Sequence, residues 1–135
     1  MIKLIVGVKG SGKTKTLISM VNTALGKTDG AVVCIEKGTK LIHEIKYQAR
    51  LIDTDEYLIC GADELYGFIA GVYASNHDVT DIFIDSALKI CGGELDKFQK
   101  FMARIDTFAA AHGVNFTITS SIPAEDVPEE LNKYL

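Results

Sequence analysis

Short apolar runs alternate with amphipathic helical stripes along nearly the whole chain, and no other feature constrains the fold as tightly. Ile2–Val6 (interrupted only by Lys3), Ala31–Ile35, Glu56–Cys60, Asp81–Asp85 and Val114–Ser120 read as strands. Between and after them, Lys13–Leu25, Lys40–Arg50, Ala62–Ser75, Glu94–His112 and Glu125–Tyr134 place apolar residues at helical spacing. The first stripe carries Leu17, Met20, Val21 and Ala24; the second Leu41, Ile42, Ile45 and Ala49; the fourth Leu95, Phe98, Met102, Ile105 and Ala109. Strands that are apolar throughout are buried on both faces, and a helix between successive strands is the usual parallel crossover. The expected architecture is α/β: a three-layer α/β/α sandwich around a five-stranded, mostly parallel sheet. No repeat, linker or low-complexity stretch divides the chain, so residues 1–135 read as one domain.

The first strand runs into Gly7-Val8-Lys9-Gly10-Ser11-Gly12-Lys13-Thr14, a G-x-x-x-x-G-K-T segment, followed by Lys15 and a helical stripe. Glycines at these positions let the backbone turn back so that successive N–H groups converge on an anion. The helix start adds the positive end of its dipole. This is the strand–loop–helix context of a P-loop (Walker A) phosphate cradle. Residues 7–15 are therefore the expected phosphate-binding segment, with Lys13 on the β- and γ-phosphates and the Thr14 hydroxyl on Mg²⁺. A metal held this way needs a carboxylate partner. Ile82-Phe83-Ile84-Asp85 supplies one at the carboxyl end of an apolar strand, where ligands of open α/β sheets bind. Asp85 is expected to hold Mg²⁺ through water.

These residues carry a resemblance. Asp85-Ser86 after Ile82-Phe83-Ile84 resembles the strand-end Asp-Ser pair of RecA-like ATPases, the P-loop group that includes recombinases, replicative hexameric helicases and circadian-clock ATPases. Ala31-Val32-Val33-Cys34-Ile35-Glu36 is similar to the strand that ends in that group's catalytic glutamate. Phe116–Pro123 resembles its polar sensor strand, which lies beside the P-loop strand. The chain also looks like small bacterial P-loop proteins. The resemblance implies ATP as ligand with Mg²⁺, Lys13 and Glu36 as catalytic residues, and Ser120 and Ser121 as γ-phosphate sensors. The chain departs from the larger members in its length, which leaves no room for DNA-binding loops after the sensor strand. Ser120 and Ser121 also stand where those members carry glutamine or glutamate.

Charge bears on partners. Asp and Glu outnumber Lys and Arg, 18 to 14, for a net charge of −4, which argues against a broad nucleic-acid surface. Arg50 and Arg104 are the only arginines, and arginine is the usual clamp on a transferring phosphate. A clamp from a second copy of the chain would make the working form a homo-oligomer. Apolar runs stay below the ~20 residues of a membrane span, and no signal-peptide pattern opens the chain. Cys34, Cys60 and Cys91 show no C-x-x-C spacing. They read as small buried residues of a cytoplasmic protein.

Several residues have plainer readings. Glu36 could pair with Lys37 or Lys40 instead of activating water. Lys37 and Lys40 fit a solvated loop as well as a phosphate contact. Asp53 and Asp55 read as an acidic surface turn, Tyr47, Tyr66 and Tyr73 as packing, and Cys91-Gly92-Gly93 as a turn. No N-K-x-D guanine-reading segment is present, which favours ATP. The resulting expectation is an ATP-binding protein with weak Mg²⁺-dependent hydrolysis, acting as a switch or assembly module. The alternatives are a non-catalytic nucleotide-binding interaction protein and, third, a small-molecule or nucleoside kinase, although no arginine-bearing lid is visible.

Overall fold

The computed structural model describes residues 1–135. In chain order the elements are β1 (Ile2–Gly7), α1 (Lys13–Lys27), β2 (Ala31–Glu36), β3 (Arg50–Asp53), α2 (Ala62–Ser75), β4 (Val79–Ile84), the one-turn α3 (Ala87–Ile90), α4 (Leu95–His112) and β5 (Asn115–Ser121). Two 3-10 turns, Ala124–Asp126 and Glu129–Tyr134, follow. The five strands form one sheet in the order β1-β5-β4-β2-β3, and every strand pair is parallel.

The alternation of side chains along each strand sorts the core into two layers. On one face, Val33 and Ile35 of β2 and Ile82 and Ile84 of β4 join Leu65 and Ile69 of α2 and Phe98, Met102 and Ile105 of α4. On the other, Val32, Cys34 and Phe83 pack against Leu17 and Val21 of α1 and against Leu41, Ile45 and Ala49. Helices thus cover both faces, as the unbroken apolar strands require. A parallel sheet brings every strand's carboxyl end to one edge. The register sets Val6 beside Ser120, Ile84 beside Ile118 and Ile35 beside Ile84. Gly7, Glu36, Asp85 and Ser121, distant in sequence, therefore end up along that edge.

Three expected elements are corrected. Residues 40–50 do not form a helix. Glu44 N and Ile45 N bond to Leu41 O, and Ala49 N to Lys46 O, which makes two separate turns. Leu41, Ile45 and Ala49 are buried as a helical stripe would bury them, but periodic burial was met here by an irregular strap. The third strand is Arg50–Asp53, not Glu56–Cys60. Leu58 has φ 57°, a left-handed backbone that cannot continue a strand, and its side chain is 83% exposed. The expected terminal helix Glu125–Tyr134 is two 3-10 turns, each preceded by a proline, Pro123 or Pro128, with φ near −58°. Leu131 and Tyr134, three apart, are its buried residues, matching the three-residue period of that helix. Among the cysteines, Cys34 and Cys91 are buried, whereas Cys60 is exposed, against expectation. Burial pushes the Cys34 and Cys91 thiols up to about 12, so both behave as small apolar residues. No helix is long and apolar enough to cross a membrane.

Candidate functional site

β1 stops at Gly7, and the next five residues form a loop before α1 begins. Gly10 and Gly12 have φ of 85° and 92°, a region that L side chains enter only at a cost of roughly 1–2 kcal/mol. That pair of left-handed residues turns the chain into the helix. Gly12 is the N-cap and offers no side-chain hydrogen bond, so the first N–H groups of α1 have no cap. The first turn carries Lys13 and Lys15 and no acidic residue. This is the reverse of what the helix dipole favours, and a bound anion would reconcile the two. Lys13 Nζ folds back to donate to Val8 O at 2.9 Å.

Thr14, in the first turn of α1, meets Asp85 at the end of β4. Its Oγ1 lies 3.3 and 3.4 Å from the two carboxylate oxygens of Asp85, across 71 residues of sequence. Asp85 is held from the other side by Thr119 of β5, whose hydroxyl donates to Asp85 Oδ1 at 2.8 Å and accepts from Ser86 N at 2.9 Å. Ser86 follows with φ 58°, so the chain leaves β4 through a left-handed residue before α3. One carboxylate and one hydroxyl suit Mg²⁺, which keeps several waters and is usually completed by phosphate oxygens rather than by an all-protein cage. The donor set stops at that pair, since no group of three or more His, Cys, Asp or Glu side chains is poised to hold a metal.

A cavity of about 870 Å³ opens over these residues. Lys9, Lys13 and Lys15 line it from the β1 side, Lys89 from α3 and Lys40 from the strap after β2; Asp85 is its only carboxylate. None of the five lysines takes part in an ion pair. A protein of net charge −4 thus gathers unpaired positive charge around one concavity, which raises the local concentration of anions there. Arg104 is elsewhere, 3.8 Å from the Tyr66 ring centroid and bonded to Asp63 at 3.2 Å. Arg50 starts β3 at the opposite edge of the sheet.

The expected catalytic and sensor residues are placed unevenly. Glu36 is 3% exposed and absent from the cavity wall. It pairs with neither lysine side chain; its carboxylate accepts Lys40 N at 3.2 Å and Leu41 N at 3.0 Å. Burial pushes its carboxyl above the usual range, the two backbone bonds pull it back in part, and Asp85 and Asp53 add to the rise. Ser120 is fully buried and accepts Leu88 N at 3.2 Å, which positions α3, whereas Ser121 lines the cavity. Asp53 is more than a surface feature, since it accepts Gly38 N at 2.8 Å.

Sequence reasoning missed Thr119 and Lys89. Lys89 follows Asp85 by four residues, and a cation so close to a strand-end aspartate was a usable signal. Thr119 carried none, because only the strand register distinguishes it from its polar neighbours. In comparisons with known proteins, no family model matches the chain, and no curated protein matches it significantly.

Proposed function

We propose that this protein is a RecA-like P-loop protein that binds a nucleoside triphosphate, ATP in preference, together with Mg²⁺. The observation that carries the reading is the meeting of Thr14 and Asp85 at 3.3 Å, beside a glycine-rich turn and an uncapped helix start bearing Lys13. In this reading the N–H groups of the loop bind phosphate oxygens, and Lys13 swings from Val8 O to the phosphates. Thr14 and Asp85 would hold Mg²⁺, which would neutralise phosphate charge when bound. The position of β5 between β1 and β4 supports the resemblance, which expects a polar strand beside the P-loop strand.

Hydrolysis is proposed to be slow. A general base must reach the attacking water, and Glu36 is committed to the Lys40 and Leu41 amides outside the cavity. That engagement favours a switch or assembly role over a motor, and it supports the non-catalytic binding protein as the second reading. The test combines equilibrium binding of a fluorescent ATP analogue with steady-state phosphate release in Mg-ATP. Saturable binding that is lost in Lys13→Ala supports the reading, and absence of binding overturns it. A measurable release rate that collapses in Glu36→Gln assigns hydrolysis to Glu36; release at background assigns the binding role.

A further inference from the structure

Lys40 and Lys89 stand apart from the glycine-rich loop, yet both face its cavity. The backbone beneath each is tied down. The strap that presents Lys40 is gripped by two carboxylates at strand ends: Glu36 accepts Lys40 N and Leu41 N, and Asp53 accepts Gly38 N. The turn that presents Lys89 is gripped by two hydroxyls of β5, with Thr119 accepting Ser86 N and Ser120 accepting Leu88 N. Side-chain hydrogen bonds from the sheet edge thus fix two platforms, each carrying one unpaired ammonium group over the same concavity.

The sheet order spaces these charges along the edge. The β1 loop carries Lys9, Lys13 and Lys15, β4 leads to Lys89, and β2 leads to Lys40. From β1 to β2 is three strand spacings, about 14 Å. The cavity can therefore meet a phosphate chain from both ends, with the loop lysines at its inner phosphates and the Lys89 and Lys40 side chains reaching in from the far end to its outer one. Neither arginine lines this cavity, so the positive charge at its far end comes from lysine.

We propose that Lys40 and Lys89 read the length of the phosphate chain, contacting the terminal phosphate of a triphosphate from the same subunit and making the site select tri- over diphosphates. This rests on the nucleotide-binding reading above and adds two specificity-determining residues to it. An ammonium group presented from an anchored backbone contributes a charge-assisted hydrogen bond to a phosphate oxygen, and a diphosphate anchored on the loop would stop short of both.

The test is titration of the intact protein in Mg²⁺ with ATP, ADP and inorganic tripolyphosphate, for wild type, Lys40→Ala, Lys89→Ala, the double variant and Lys89→Arg. Wild type is expected to prefer ATP to ADP. Each alanine variant is expected to lose about tenfold or more in ATP affinity, the scale of one charge-assisted bond, with ADP affinity nearly unchanged. Lys89→Arg should retain the preference, and tripolyphosphate should follow ATP across the series. Circular dichroism matching wild type establishes that these exposed-site variants fold. Equal losses for ATP and ADP, or no loss in the double variant, overturn the lysine assignment and leave nucleotide binding standing. A wild type that binds no nucleoside triphosphate overturns both.

Discussion

Glu36 Oε2 accepts the Leu41 amide at 3.0 Å while Oε1 accepts the Lys40 amide at 3.2 Å, so a carboxylate at the end of β2 caps the strap that follows it. Burial is the larger influence on its titration and favours the protonated form. Because its folded pKa lies above the usual 4.5, the native state binds this proton more tightly than the unfolded chain does. The associated stability is fully present below pH 4.5 and is lost as pH rises through the raised value. Urea unfolding of wild type and Glu36→Gln from pH 4.5 to beyond neutrality isolates this effect. Wild type should lose stability relative to the variant as pH rises. A difference that stays constant with pH contradicts the account.

Thr119 links Asp85 to the backbone of Ser86. Replacing it with valine keeps the shape but removes both hydrogen bonds, leaving Ser86 N without its partner and Asp85 Oδ1 with only the longer contact to Thr14. The expected cost is about 1–3 kcal/mol, read as a lower melting temperature. Mg²⁺-dependent nucleotide affinity should fall as well, because Asp85 loses the group that orients it. A variant with unchanged melting temperature would show that the bond contributes nothing net.

Leu58 sits at φ 57° with its side chain 83% exposed. Glycine at this position relieves the backbone strain and sacrifices little packing. Leu58→Gly should therefore raise stability by up to about 1 kcal/mol, the left-handed penalty being partly offset by glycine's greater freedom when unfolded. Chemical denaturation checks the sign. Destabilisation would mean that the Leu58 side chain makes a contact worth more than the strain.

Much of this arrangement was legible in the sequence. Asp85 could be placed because an unbroken apolar run must end at a sheet edge, and the glycine-rich turn because only a few residue types tolerate its backbone. The spacing over residues 40–50 predicts a helix where the chain forms a strap, because burial at every fourth position is a property of the surface it covers, not of its own hydrogen bonds. β3 was displaced because Tyr57-Leu58-Ile59 is as apolar as Leu51-Ile52, and the left-handed turn at Leu58 leaves no compositional trace. The sequence does not distinguish Thr119 from Ser120 and Ser121 for a related reason. Alternation sends neighbouring residues of β5 to opposite faces, and only the pairing of Ile84 with Ile118 determines which hydroxyl reaches Asp85.

Thr14 and Asp85 are proposed to form a Mg²⁺-dependent triphosphate site with the glycine-rich loop. Calorimetric titration with a non-hydrolysable ATP analogue, in Mg²⁺ and in chelator, tests it in wild type and Asp85→Ala. The account predicts that wild type binds at least about tenfold more tightly with Mg²⁺, a difference of roughly 1.4 kcal/mol, and that Asp85→Ala loses that gain while remaining folded. Equal affinity with and without Mg²⁺ in wild type, or an undiminished Mg²⁺ gain in Asp85→Ala, would contradict it.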